Sequence, residues 1–244
     1  MKPPARFIEP GADVVRRFWK EVSIAEERDG FAVMLDTRRL KTPAGAALVL
    51  PTRAKADMVA DEWRAQGEIV AMASMPATRL AQTAIARVRG AREAVAAEVA
   101  RYGGSDVICY LADGPEALRD RQEAGWAPWR QWASERLGAP LVPVQGLLHQ
   151  PQDAAALERL SVLALELDDF DLAALASLTS LLGSAVLAFA VQRGALDAVE
   201  AYELSRIDEL YQQARWGVDE EAAERTRLHH DEAAMLGRWL LAES

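Results

Sequence analysis

"LAALASLTSLLGSAVLAFAVQ" (residues 172–192) is a run of 21 residues without a charge. As one helix it would be about 32 Å long, enough to cross a bilayer. However, small and polar residues dilute it, and it has neither an aromatic belt nor a basic flank on one side. Asp168, Asp169 and Asp171 precede it, and only Arg193 follows. Since a helix that is apolar on all sides is typical of the middle of a bundle, we expect a buried central helix rather than a membrane span.

The sequence around this segment has helical periodicity from residue 51 onward. Thr52 is a suitable N-cap for a helix that Gly67 would end. Further helices, one with a break near Pro128, are predicted in residues 75–90, 91–104, 114–138, 153–169, 196–214 and 219–241. Trp126, Trp129 and Trp132 recur every three residues, which favours core packing, with an aromatic interaction surface as the alternative.

The first 50 residues have a different pattern. Apolar residues alternate with polar ones in two short runs, as on half-buried strands: Val22 and Ile24, then Phe31, Val33 and Leu35. "RDG" (28–30) is a hairpin signal between the runs, and "TPAG" (42–45) is a second turn. These patterns predict a small antiparallel sheet over residues 17–50.

The predicted fold class is α+β, a small N-terminal antiparallel sheet domain followed by a larger helical bundle. We place the domain boundary after residue 50, which gives a β-rich domain at 1–50 and a helical bundle domain at 51–244.

Charge and cysteine content narrow the function. The 28 basic and 37 acidic residues give a net charge of −9, which disfavours nucleic acid and favours a protein partner with a basic face. The single cysteine, Cys109, cannot form an internal disulfide, and the first 19 residues do not resemble a secretory signal. We therefore expect a cytoplasmic protein without membrane insertion.

Signals for catalysis are weak. A nucleophilic Cys109 would need a nearby base, and the candidates are His149, His229 and His230. Cys109 stands among apolar neighbours, where a free cysteine usually acts as a small hydrophobic residue, and His229 and His230 stand in a charged helix that indicates a solvated face. No zinc-ligand spacing and no P-loop occurs, so we expect neither a metal nor another cofactor. A hydrolase or transferase that uses His149 and acidic residues remains the alternative function.

The segment from Gly194 to Glu224 carries nine acids and two bases. On one helical wheel, Glu200 and Glu203 fall on the apolar face, whereas Asp208 and Glu209 point away from it. One interpretation is an ordinary ion pair, such as Glu203 with Arg206 or Glu200 with a basic residue of another helix. The other is an apolar groove with acidic edges that binds another protein.

Eight motifs occur in an order that resembles a known family. They are "RFWKEVSI" (17–24), "DGFAVMLDTRRLKTPAGAALVLP" (29–51), "EW" (62–63), "MPATRLAQTAI" (75–85), "RYGGSDVICY" (101–110), "HQPQ" (149–152), "LTSLLGSAVLAFAV" (178–191) and "SRIDELYQQARWG" (205–217). Together they resemble the assembly-chaperone family for the alpha subunit of F-type ATP synthase, and more closely its bacterial members.

The resemblance implies a small N-terminal α/β domain joined to a helical bundle. It also implies a non-enzymatic protein that holds the free alpha subunit, without a cofactor, until the beta subunit arrives. The residues it implies for partner binding are Glu200, Glu203, Asp208, Glu209 and, within "RWG", Trp216. We expect a monomer. In "RYGGSDVICY" we expect Gly103 and Gly104 to end a helix with positive φ, and Cys109 to be packed inside.

Overall fold

The structure is a computed structural model, and it describes residues 15–146, 148, 150–217 and 219–242. The strands are β1 (Val22–Glu27), β2 (Gly30–Leu35), β3 (Arg38–Arg39), β4 (Val49–Leu50), β5 (Tyr110–Leu111) and β6 (Val144–Gln145). The α-helices are α1 (Arg53–Arg64), α2 (Pro76–Thr83), α3 (Arg92–Gly104), α4 (Glu116–Trp132), α5 (Ala154–Leu165), α6 (Asp169–Leu182), α7 (Ala185–Gln192), α8 (Ala198–Ser205), α9 (Ile207–Trp216) and α10 (Glu220–Leu240). The predicted fold class, a small antiparallel sheet followed by a helical bundle, is confirmed.

The N-terminal sheet is built around β2, which pairs antiparallel with β1, β3 and β4. The predicted hairpin is present, with Glu27 opposite Gly30. Gly30 has a φ of +136°, and a Cβ there would lie 2.2 Å from the carbonyl oxygen of Leu50. Only glycine therefore fits where β2 approaches β4.

Helix α1 covers one face of this sheet. Thr52 caps it as predicted, since its hydroxyl accepts a hydrogen bond from the Lys55 amide. The helix ends at Arg64 and not at Gly67, because the Gln66 side chain folds back to donate to the Glu62 carbonyl. The boundary after residue 50 stays a prediction, although α1, which follows it, packs on the sheet.

The apolar segment that begins at Leu172 forms two helices, so the expectation of a single helix is wrong. Gly183 ends α6 in the left-handed region with φ +62°, and Ser184 caps α7 by accepting from the Leu187 amide. All residues from Ala185 to Val191 are buried, which confirms the expected central position. Within the part of the chain that the structure describes, no helix combines the length and apolarity that a membrane crossing requires.

Two other predicted helices differ in their continuity. Helix α4 passes through Pro128 without the predicted break, because Ala124, whose carbonyl loses its usual donor, is exposed to water. The segment 196–214 is instead divided into α8 and α9 at Arg206, where φ is −116°. There the Leu204 carbonyl accepts from the Trp126 indole at 2.8 Å, which replaces its helical partner.

The three regularly spaced tryptophans of α4 face the protein interior. Trp126 is 1% exposed, and Trp129 and Trp132 are partly buried against the core. The rings of Trp129 and Trp132 meet edge to face, with centroids 6.1 Å apart. The core-packing interpretation is thus confirmed.

Candidate partner-binding surface

The "RYGGSDVICY" segment lies inside the molecule. Gly103 and Gly104 end α3 as predicted, but their φ angles are not positive. The glycine at 103 is needed for close packing instead, because a Cβ there would lie 2.5 Å from the Leu160 side chain of α5. Cys109 is fully buried, as expected.

Asp106 is the polar centre of that segment. Its buried carboxylate accepts hydrogen bonds from the amides of Ile108 (3.3 Å) and Val186 (3.1 Å), so it caps the start of α7. Removal from water raises the pKa of Asp106 to about 6, against the lowering effect of these donors. Arg130 donates to the Ile108 carbonyl at 2.7 Å and fixes the same turn from α4.

This environment is unsuited to nucleophilic chemistry. Burial raises the pKa of the Cys109 thiol, and the neighbouring Asp106 adds to that effect. The thiolate, which is the reactive form, is therefore suppressed. No group of metal-ligating side chains is found among the residues with a described structure. His149, on which the alternative enzymatic function depends, lies outside the described residues.

The predicted acids of α8 face water. Glu200 and Glu203 are exposed and do not lie on the apolar face of the helix, so the orientation read from one wheel is wrong. The break at Arg206 is the reason, because it separates α8 from α9 and no single wheel describes both. Neither glutamate forms an ion pair with any residue that the structure describes, so the ordinary pairing interpretation is also wrong.

Asp208 points inward rather than away from the core. It is half-buried, and its carboxylate accepts a hydrogen bond from the buried amide of Gln122 on α4. Gln122 in turn accepts from the backbone amide of Ala112 at 2.7 Å. Asp208 therefore anchors the start of α9 to α4.

Glu209 and Trp216 are exposed residues of α9 that line the same depression. Both line a surface depression of about 260 Å³ between α9 and the start of α10, together with Asp219. Trp216 is 77% exposed, whereas the other six tryptophans pack against the core. We call this site, with its lining residues Glu209, Gln212, Gln213, Trp216, Gly217, Asp219 and Ala222, the Trp216 depression.

Sequence reasoning missed a cluster next to the Trp216 depression. His229, predicted to be on a solvated face, is half-buried, and its ring meets the Tyr202 ring edge to face at 6.1 Å. Arg206 lies over the same Tyr202 ring at 5.1 Å. Tyr202 and Arg206 are four residues apart at the end of α8, but His229 comes from α10, so no pattern along the chain could have indicated that it joins them.

Comparisons with known proteins agree with this architecture. A family model described as "ATP12 chaperone protein" matches residues 16–134. The mitochondrial protein atp12 of Schizosaccharomyces pombe is 27% identical over 221 residues, which cover 86% of this chain and 76% of that protein.

Two solved structures extend the match. The crystal structure of Atp12 from Paracoccus denitrificans is 44% identical, with a TM-score of 0.88 over 93% of this chain and 97% of that one. A putative chaperone from Agrobacterium tumefaciens, Atu1473, is 39% identical, with a TM-score of 0.87 over 93% of this chain and 85% of that one. At this identity and coverage, this chain belongs to the ATP12 chaperone family.

Proposed function

We propose that this protein is an assembly chaperone that binds the free alpha subunit of F-type ATP synthase and prevents its aggregation before the catalytic head assembles. Membership of the ATP12 chaperone family supports the chaperone activity. The choice of the alpha subunit as client rests on the resemblance of the eight sequence motifs. We further propose that the protein acts as a cytoplasmic monomer and without catalysis.

Trp216 is the observation that carries the proposed binding site. A large aromatic side chain that is 77% exposed leaves apolar area in contact with water. Tryptophan is enriched among the residues that dominate binding energy, because it buries much area when a partner covers it. Trp216 would therefore anchor an apolar surface of the client.

Exposed carboxylates beside this anchor and on the preceding helix give the surface a charge preference. Glu209 shares the Trp216 depression, and Glu200 and Glu203 lie on the preceding helix. In a protein of net charge −9 they favour a client face that carries basic residues. A partly polar interface of this kind also allows release, which a chaperone requires. In this arrangement Asp208 positions α9 through Gln122 and does not contact the client.

The test is light scattering of purified alpha subunit under mild heat without ATP. We expect the protein to suppress aggregation at a near-stoichiometric ratio, and an unrelated acidic helical protein not to do so. Glu200→Lys should weaken protection while the variant stays folded. Glu158→Lys on α5 is the matched control, since Glu158 is equally exposed but distant in sequence from α8 and α9.

Two results would contradict the proposal. If the wild-type protein neither suppressed aggregation nor formed a complex on gel filtration, the alpha subunit would not be its client. If the folded Glu200→Lys and Glu158→Lys variants protected the alpha subunit equally well, Glu200 would not belong to the binding surface.

A further inference from the structure

A second, larger cleft adjoins the Trp216 depression. It has a volume of about 490 Å³ and lies between the C-terminal end of α6, the α8–α9 junction and α10. Its volume is in the range of about 300–1,000 Å³ that is typical of ligand pockets. Glu209, Gln213 and Ala222 line both sites, so one bound segment could reach from one into the other.

The cleft has basic groups although the protein is acidic. Arg206, Arg225 and His229 line it. Arg206 is half-buried, yet it forms no ion pair with any residue of the described ranges. Its guanidinium instead contacts Tyr202, since it lies over the ring and interacts with the hydroxyl. A guanidinium has five N–H donors, so others stay available to a ligand.

Two other arginines that are removed from water have a carboxylate partner. Arg92 donates to Asp169 at 2.6 Å and to two backbone carbonyls. Arg130 donates to Glu123 at 2.6 Å and to the Ile108 carbonyl. A half-buried guanidinium is stabilised by a hydrogen-bonded anion. Arg92 and Arg130 have such an anion, whereas Arg206 has none among the described residues.

Arg225 shows the same contrast on α10. Arg227, two residues further on, pairs with Glu224 at 2.6 Å and lies near Asp231. Arg225 lines the cleft and has no such partner among the residues that are described. The acids that face the cleft region are Glu209 and, at the adjoining surface near His229, Glu232. Neither is paired with Arg206 or Arg225, so both arginines can donate hydrogen bonds to an external carboxylate.

We propose that this cleft receives an acidic side chain of the client, held by Arg206 and Arg225, beside the Trp216 depression. The inference rests on the proposed chaperone function and adds a requirement to it. The client segment would place a carboxylate in the cleft and an apolar group on Trp216, with its basic residues toward the outer acids. Leu181 and Val107, which also line the cleft, would cover the methylene stem of the acidic side chain.

The first test compares arginine variants by their dissociation constants for the purified alpha subunit. The double variant Arg206→Gln/Arg225→Gln should raise the dissociation constant at least about tenfold, because charge-assisted hydrogen bonds are lost. Arg225→Gln alone should raise it about threefold, and it guards against a folding defect at Arg206, since Arg225 is exposed. Arg227→Gln, the matched control on α10, should stay within about twofold of wild type.

The second test uses the scarcity of lysine in the chain. The chain has lysines only at 2, 20, 41 and 55, so an amine introduced by Arg225→Lys is distinct from all others. It also keeps the positive charge. A water-soluble carbodiimide joins an amine to a carboxylate in contact, so we expect an amide bond between position 225 and an aspartate or glutamate of the client, read by mass spectrometry. Arg227→Lys should give little of this product.

The outcomes separate this inference from the proposed function. Wild-type affinity in the folded double variant, or equal cross-linking at positions 225 and 227, would overturn the acidic-segment site while the chaperone function stands. Failure of the wild-type protein to bind the alpha subunit would overturn the chaperone function itself.

Discussion

Helices α7 and α9 are similar in length but differ strongly in their exposure to solvent. Helix α7 buries all residues from Ala185 to Val191, whereas α9 buries only Ile207. The polar start of α7 must therefore be satisfied inside the protein, by Asp106 and Ser184. Apart from Asp208, helix α9 leaves most of its polar side chains, and Trp216, at least partly exposed to solvent. We infer that the α7 region mainly supplies stability and that the α9 region is the one available for the proposed recognition.

The two regions are joined through α4. At its start α9 is held by the Gln122–Asp208 hydrogen bond. Gly125 of α4 lets Ile207 approach closely, because a Cβ at that position would lie 2.7 Å from the Ile207 side chain. Its other end, at Trp216, is exposed. Because α9 is anchored at its start and exposed at its end, the Trp216 depression has a defined position and stays open to solvent. Variants that affect only one region should therefore separate stability from client binding.

Trp239→Ala should have the largest effect, on stability. Trp239 is fully buried in α10 and packs on Phe170 of α6, with ring centroids 6.5 Å apart. Loss of a buried tryptophan typically lowers the free energy of unfolding by about 4 kcal/mol. Urea denaturation followed by circular dichroism measures this change. A loss below about 1 kcal/mol would show that α10 contributes little to the core.

Trp216→Ala should show the opposite behaviour. Because Trp216 makes few contacts, its removal should change the free energy of unfolding by no more than about 0.5 kcal/mol. Binding of the alpha subunit should weaken by about 2 kcal/mol, or roughly thirtyfold, as for an interface anchor. Titration calorimetry gives the binding change, and Trp239→Ala serves as the stability control. Unchanged binding would show that Trp216 is not an anchor for the client.

Asp106 gives the stable region a pH dependence. Its pKa is about 6 in the folded protein against 3.8 as the ordinary value, so the folded state binds the proton more tightly. This group therefore adds stability at low pH that is lost as the pH rises through about 6. Between pH 5 and pH 7 its contribution should fall by about 1 kcal/mol. The measurement is the difference in pH slope between the wild type and Asp106→Asn. Parallel slopes would show that Asp106 does not titrate in this range.

Local patterns in the sequence predicted the elements whose causes are local. The β1–β2 hairpin follows from alternating apolar residues and "RDG", and Thr52 caps α1 through a neighbour three residues away. The burial of most residues between 172 and 191 follows from their lack of charge. These interactions act within a few residues, so a linear reading captures them.

The errors arose where distant residues decide the local structure. The Trp126 indole donates a hydrogen bond to the Leu204 carbonyl, which is 78 residues away in sequence. That carbonyl no longer has its helical partner, and the expected single helix is divided into α8 and α9. The resulting break turned Glu200 and Glu203 outward and Asp208 toward Gln122. The Tyr202–Arg206–His229 cluster likewise depends on α10 packing beside α8. The proposed site residues remain a prediction, but their orientation required the tertiary structure.

Glu203→Gln should have the smallest effect, and it sharpens the role of the acids on α8. Glu203 is exposed and unpaired within the described structure, so the free energy of unfolding should not change measurably. As a charge at the rim of the proposed interface, it should mainly steer association, and its loss should slow binding of the alpha subunit about twofold at low salt. The difference should vanish near 0.5 M salt, where charges about 10 Å apart are screened. Stopped-flow association rates at two salt concentrations, with Glu158→Gln as control, measure this effect. A twofold difference that persists at high salt would mean that Glu203 acts through direct contact with the client rather than through its field.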